Sequence, residues 1–317
     1  MTTGLRIARK DHLDAGEVAD VLALTQAAGD ADGAFPLSEH VVLHLRHGGD
    51  KRAVHLLAHH EKELVGYAHV DTTDPVEGAA AELVVHPLHR RRGLGRALVT
   101  EAMAVADEAT DRPPGRLRLW AHGDHPSATA LAMRLGFDRW RVLFQLRRSL
   151  FAPVPEPVLP RGVSIRPFVP GADDEAWVAL NAAAFADHPD QGRWTIEDLR
   201  IRIKEPWFDP AGFLLAHRDD GELVGFHWTK IHGEVRRETD THAHDPLGEV
   251  YVLGVSPAAA GTGLGTALTL AGLRHLRGRG LDQAMLYVDE TNTRAVALYS
   301  RLGFARWSTD VCFRRQV

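Results

Sequence analysis

Apolar residues recur along the chain with two periods. Residues 5–9, 52–59, 64–70, 81–85, 116–121 and 142–147 alternate apolar with polar positions or run briefly through Val, Leu and Ile, which predicts strands. Residues 17–28, 38–46, 93–108 and 126–135 place apolar side chains three and four apart, which predicts helices that bury one face. Strands and helices interleaved in this order predict a mixed α/β domain, a central sheet flanked by helices. The same order returns in the second half of the chain.

The return is visible residue by residue. Glu63-Leu64-Val65-Gly66-Tyr67 recurs as Glu222-Leu223-Val224-Gly225-Phe226, and Arg134-Leu135-Gly136-Phe137-Asp138-Arg139-Trp140 recurs as Arg301-Leu302-Gly303-Phe304-Ala305-Arg306-Trp307. Between them, Val85-His86-Pro87 followed by Arg92-Gly93-Leu94-Gly95 matches Val255-Ser256-Pro257 followed by Thr262-Gly263-Leu264-Gly265. Such self-similarity marks a duplicated unit. The second copy is longer because of a polar insertion at 233–248, which reads as an exposed loop. Four prolines in residues 151–160 cannot continue a helix or a central strand. The expected organisation is therefore a domain at 1–150, a Pro-rich linker at 151–160 and a second domain at 161–317.

Composition removes several classes of function. Lys and Arg total 37 against 42 Asp and Glu, a net charge of −5, without the basic excess of a general nucleic-acid binder. No apolar run reaches the roughly 18–20 residues of a membrane span, and residues 1–12 hold no apolar signal-peptide core. A cytoplasmic monomer with no membrane or nucleic-acid partner is the expectation. Cys312 is the single cysteine, so no intrachain disulfide or Cys-based zinc site can form. The histidines suggest metal, and His40, His44 and His47 share a helical face while His242 and His244 lie in the insertion. Neither group carries a carboxylate in a ligand pattern, so no metal is expected and the helix histidines are read as exposed.

The chemistry concentrates where a strand ending in Val-x-Pro turns through glycines into a helix. Unpaired N–H groups at a helix start, together with the positive dipole end, favour an anion such as a pyrophosphate. A P-loop would need Gly-Lys-Ser/Thr, and Thr266 follows Gly265 with no lysine. A dinucleotide fingerprint starting at Gly261 would need glycine at 266. The pattern instead resembles the GNAT acyl-CoA N-acetyltransferases, whose motif runs Val-x-Pro-x-x-Gln/Arg-x-x-Gly-x-Gly/Ala. The first copy matches with Val85, Pro87, Arg90, Gly93 and Gly95. In the second, Val255, Pro257, Gly263 and Gly265 match, and Ala260 departs from the usual Gln/Arg.

The resemblance implies two tandem GNAT domains, each holding acetyl-CoA. In the first, the implied cofactor residues are Leu83, Val84, Val85, Arg91, Arg92, Gly93, Leu94, Gly95 and Arg96. In the second they are Leu253, Gly254, Val255, Ala260, Gly261, Thr262, Gly263, Leu264, Gly265 and Thr266, joined by Asn292, Thr293, Arg294, Ala295, Val296 and Ala297. Tyr299 follows Asn292 by seven residues, two helical turns on and on the same face; in the family, a tyrosine there protonates the departing thiolate. Transfer to an amine also needs a base, because an amino group with a pKa near 8 is largely protonated at neutral pH. Glu249, in the strand leading to the second turn, is the candidate. The first copy has Ala79 for Glu249, His125 for Asn292 and Ala132 for Tyr299, so it is expected to be catalytically silent.

Ala186-Asp-His-Pro-Asp-Gln-Gly192, Phe226-His-Trp-Thr-Lys-Ile-His232, Leu247-Gly-Glu-Val-Tyr-Val-Leu-Gly-Val255 and Leu286-Tyr-Val-Asp resemble one tandem branch of the family more closely. Its members acetylate the cysteinyl amine of cysteinyl-glucosaminyl-inositol. That implies acceptor contacts at Glu39, Asp190, Lys230, Glu249 and Tyr287, suited to a small amine with many hydroxyls. The alternatives are a GNAT for another small amine or a protein N-terminus, and an acyl-CoA-binding sensor without catalysis.

Overall fold

A computed structural model of the chain describes residues 5–48, 52–74, 77–110, 115–186, 191–232 and 246–315. It resolves into two compact units. The first comprises Met1–Phe144, Asp289–Thr291 and Ser308–Val317, and the second comprises Gln145–Val288 and Asn292–Trp307.

In the first unit the strands β1 (Leu5–Lys10), β2 (Ala53–His60), β3 (Glu63–Asp71) and β4 (Ala79–Val85) pair antiparallel in sequence order, and β5 (Leu117–Ala121) lies parallel to β4. Helices α1 (Ala15–Asp32) and α2 (Glu39–His47) cover one face, where Val21, Leu24, Val41 and Leu45 pack on Leu57 and Tyr67. Helix α3 (Leu94–Glu108) covers the other, where Leu98, Val99 and Ala102 pack on Leu56, Ala68 and Val70. Two covered faces explain why β3 is buried almost continuously from Val65 to Val70 rather than alternating. Helix α4 (Pro126–Arg134) precedes β6 (Phe137–Ser149), which is longer at both ends than the expected 142–147.

The second unit repeats the plan. Strand β7 (Val163–Pro167) is followed by α5 (Asp174–Ala184) and α6 (Ile196–Ile203). Then come β8 (Phe213–Arg218), β9 (Leu223–His232), β10 (Leu247–Val255), α7 (Leu264–Gly278), β11 (Gln283–Asp289), α8 (Thr293–Arg301) and β12 (Ala305–Arg315). Leu247 and Gly248, expected in the polar loop, belong to β10, and 233–245 lie outside the described residues. Residues 151–160 form no helix or strand, yet Val154 is buried and its carbonyl accepts from Arg274.

The terminal strands trade places. Val311, Cys312, Phe313 and Arg314 of β12 pair antiparallel with Ala121, Trp120, Leu119 and Arg118 of β5. Val311 and Phe313 thereby enter the first unit's core, and Cys312 is fully buried in that strand. Gln145–Ser149 of β6 belongs to the second unit, where β6 neighbours β11. The end of the last strand of each half thus belongs to the other unit.

The repeated Glu-Leu-Val-Gly string has a packing reason. A Cβ on Gly225 would stand 2.9 Å from Leu268 Cδ1 and 3.1 Å from Leu264 Cδ2 of α7, and one on Gly66 would stand 3.1 Å from Leu98 Cδ1 of α3. The missing side chain lets the helix behind each turn lie close on the sheet. Gly225→Ala is expected to destabilise the full chain by about 1–3 kcal/mol, lowering the thermal midpoint by roughly 2–4 °C per kcal/mol. A midpoint equal to wild type by circular dichroism would contradict this tight crossing.

Candidate active site

Each unit has the same two backbone devices at one end of its sheet. Parallel pairing of β4 with β5 runs from Ala79↔Leu117 to Glu82↔Trp120, and that of β10 with β11 covers Gly248↔Ala284 and Glu249↔Met285. Beyond these points Leu83-Val84-Val85 and Leu253-Gly254-Val255 keep their antiparallel partners on β3 and β9. Their other edges offer peptide groups to an extended ligand, as an open sheet edge does. A 3-10 turn then leads into the helix, Pro87–His89 before α3 and Pro257–Ala259 before α7.

The helices open on Gly93 and Gly263, with φ of 86° and 88°, values that favour glycine. Neither has a side-chain cap, so the N–H groups of Leu94-Gly95-Arg96 and Leu264-Gly265-Thr266 point outward from the helix start. A Cβ at Gly93 or Gly263 would meet nothing within 4 Å, so backbone conformation, not crowding, selects glycine there. One turn position differs: Arg91 has a φ of 62° where the second copy has Gly261 at 83°. Arg90 donates to the Val85 carbonyl at 3.1 Å and forks onto Asp32 at 2.6 and 2.8 Å. In the first copy, the family's Gln/Arg position therefore braces strand end and helix α1, and Ala260 can do neither.

Glu249 is the third residue of β10, 7% exposed, and lies directly across from Lys230 on β9. His232, two residues beyond Lys230, shares its face and reaches Glu249 diagonally, Nε2 to Oε2 at 2.6 Å. Burial pushes the Glu249 carboxyl up, but the hydrogen bond and charge of His232 and the charge of Lys230 outweigh it and hold the group below its ordinary value. Glu249 is therefore a carboxylate at neutral pH. Lys230 is buried too, its ammonium 4.5 Å from the Trp207 ring centre and 5.3 Å from that of Tyr251. Tyr251 sits at the β10 bulge between Val250 and Val252, and its hydroxyl accepts from Arg202 Nε at 2.9 Å.

Tyr299 on α8 is 8% exposed, its ring edge-on to Phe304 at 5.7 Å. Burial pushes its phenol up to about 12, and its hydroxyl makes no hydrogen bond among the described residues. Asn292 caps the same helix, accepting from the Ala295 N–H at 3.1 Å, and Thr293 to Ala297 form its first turn and a half. Tyr287 is 44% exposed on β11, its hydroxyl accepting from Gln145 Nε2 at 2.7 Å. Glu39 is the first residue of α2 in the first unit, half-buried. Asp190 lies outside the described residues. In the first unit Ala79 and Ala132 are both buried, and His125 caps α4 as Asn292 caps α8.

Sequence reasoning did not single out His232, Trp207 or Tyr251. The alternation in Lys230-Ile231-His232 carried a signal for the first; the other two needed the bulge and the fold. His44 is not an exposed histidine: its ring lies tilted against that of His40 with centroids 4.1 Å apart, and its Nδ1 approaches His69 Nε2 at 3.4 Å. Among the described residues no group of three His, Cys, Asp or Glu side chains could hold a metal ion, and no helix is long and apolar enough to cross a membrane.

Comparison with known proteins agrees with this geometry. The acetyltransferase (GNAT) family model matches residues 24–137 and 176–304, one segment per copy. The mycothiol acetyltransferase of Acidothermus cellulolyticus is 56% identical over 322 residues, covering 99% of this chain and 96% of that protein. The mycothiol acetyltransferase of Salinispora arenicola is 58% identical over 317 residues, covering 98% and 97%. A tandem GNAT protein from the clavulanic acid biosynthesis pathway shares the fold, with a TM-score of 0.73 at 22% identity over 98% of both chains. A duplicated strand–glycine turn–helix device, full-length likeness and matching fold lead to one conclusion: the chain belongs to the GNAT acetyltransferase family, among its mycothiol acetyltransferases.

Proposed function

We propose that the second unit transfers an acetyl group to the cysteinyl amine of cysteinyl-glucosaminyl-inositol, in the cytoplasm. The observation that carries this reading is Glu249, a buried, hydrogen-bonded carboxylate at the last paired position before β10 and β11 part. Acetyl-CoA supplies the thioester. Backbone N–H groups from Ala260 to Thr266 hold its pyrophosphate, while Leu253 to Val255 and the first turn of α8 from Asn292 to Ala297 hold its pantetheine arm. The outward N–H groups and the left-handed glycines suit that anion.

Glu249 takes the proton from the acceptor ammonium and leaves a neutral amine to attack. His232 occupies one of its oxygens, so the other is presented to the amine in a fixed orientation. Tyr299, kept protonated by burial, donates to the departing thiolate. Lys230, Tyr287 and Asp190 bind the hydroxyls and the amine end of the acceptor. The first unit holds a second acetyl-CoA on Leu83 to Val85 and Arg91 to Arg96. It performs no chemistry, since alanines stand where base and acid would be.

Glu249→Gln and Tyr299→Phe keep volume while removing a proton-transfer group, so each should lower kcat by about 10²–10⁴-fold with an unchanged melting profile. Wild-type turnover in either would dismiss that residue from the mechanism. His232→Gln removes the largest influence that lowers the Glu249 carboxyl, leaving burial to raise it. The acid limb of the kcat–pH profile should then move to higher pH, and superimposable limbs would exclude His232 from tuning the base. Calorimetric titration of the full chain with acetyl-CoA should give two sites per chain, and saturation at one would exclude the first unit as a cofactor holder.

A further inference from the structure

The second unit carries a hydrogen-bonded line behind Tyr287 that the scheme above does not use. Glu249 pairs with Met285 across β10 and β11, and paired residues point to one face of a sheet. Tyr287, two residues beyond Met285, therefore shares the face of Glu249 and stands on the stretch of β11 past its last pairing with β10. On β6, the other neighbour of β11, Gln145 donates from Nε2 to the Tyr287 hydroxyl at 2.7 Å. Arg147, two residues further along β6, donates from Nε to Gln145 Oε1 at 3.1 Å. Its guanidinium lies over the Trp307 ring, 4.4 Å from the centroid.

The direction of these bonds is fixed from one end. A guanidinium has donors only, so the Gln145 atom facing Arg147 is the carbonyl oxygen, and the amide nitrogen is left to face Tyr287. An amide nitrogen likewise only donates, so the phenol oxygen accepts and its own proton must be given in a direction other than Gln145. Gln145 is buried, and the Trp307 ring against the guanidinium holds Arg147 in place. Tyr287, by contrast, is an exposed side chain. A line whose polarity is set beneath the surface thus ends on a phenol that a ligand can reach.

We infer that Gln145 and Arg147 are positioning residues for acceptor binding: they set the polarity of Tyr287, so that it meets the acceptor as a hydrogen-bond donor. The inference rests on Tyr287 as an acceptor contact. The group selected there is an oxygen of the acceptor, whether hydroxyl, ether or carbonyl, because an N–H or ammonium in its place would face the phenol proton. A site built for one hydrogen-bonding partner rejects its opposite by leaving polar groups unpaired. With Glu249 taking the ammonium, the line keeps the nitrogen end and the oxygen-bearing end of the acceptor from exchanging places.

The test uses initial-rate titrations of the full chain in each substrate, with cysteinyl-glucosaminyl-inositol and acetyl-CoA, for Gln145→Glu, Arg147→Met, Tyr287→Phe and the pairwise combinations with Tyr287→Phe. Gln145→Glu keeps shape but only accepts, so Arg147 still donates to it while Tyr287 must now turn its proton inward and present lone pairs to the acceptor. The acceptor KM should rise roughly ten- to a hundredfold, with kcat and the acetyl-CoA KM unchanged, as for a lost contact to one substrate. In the Tyr287→Phe background, which by itself raises the acceptor KM, Gln145→Glu should add nothing further. Arg147→Met removes the donor that orients the amide; it should give the same pattern more mildly and carries the test should Gln145→Glu fail to fold. A raised acceptor KM in Tyr287→Phe with no change in the Gln145 and Arg147 variants would overturn the proposal and leave Tyr287 standing as a contact. An unchanged acceptor KM in Tyr287→Phe would overturn both. Equal effects of Gln145→Glu with and without the phenol would also overturn it, since the added charge would then be acting directly.

Discussion

A carboxylate inside a sheet is tolerated only when its charge is met, and the second unit is arranged around meeting that of Glu249. Burial of an ionised group costs several kcal/mol unless partners compensate. Here both come from one neighbouring strand, Lys230 directly opposite and His232 on the diagonal. That pairing demands the β9–β10 register, and a slip of one residue would turn every side chain to the other face. The β10 bulge then turns Tyr251 toward Lys230, so the same irregularity that bends the strand also seats the neighbouring cation. Strand parting beyond Glu249 opens the sheet on the side where that carboxylate stands.

Two copies of this plan show what is generic and what is particular. The glycine turn, the strand parting and the close helix crossing at Gly66 and Gly225 occur in both units, because they follow from backbone geometry alone. The charged groups do not align. In the first unit the last paired position of β4 holds Glu82, three residues nearer the turn than Ala79, the counterpart of Glu249. Its carboxylate faces His122 and the Ser38 peptide, a fully engaged arrangement in which charge holds structure in place. The same element of fold carries a carboxylate met by Lys230 and His232 in one copy and one met by His122 and a helix start in the other.

What could be read in the amino-acid order follows the same division. The repeated turns were legible because left-handed backbone at 93 and 263 favours glycine, and the helices and most strands were legible from their apolar periods. Glu249 and Tyr299 were reachable only by setting the copies side by side and by resemblance to a family. His232, Trp207 and Tyr251 were not singled out, since cross-strand diagonals and bulges exist only once register is known. The depth of His44 escaped for a related reason: a helical face says which residues travel together, not whether His69 waits opposite. Nothing in the local pattern of β6 or β12 distinguished the partner each would choose, because both are arginine-bearing strands of mixed apolar and polar residues following a short helix.

That choice of partner has a bearing on how the chain comes to be folded during synthesis. Strand β5 of the first unit is flanked by β4 on one side and by β12 on the other, and β12 follows all the other described elements in the chain. Until it emerges, the first unit waits with an open edge and without Val311 and Phe313 in its core. Unpaired edges of this kind invite mispairing in nascent chains. The first unit therefore cannot finish folding before β12 has been made.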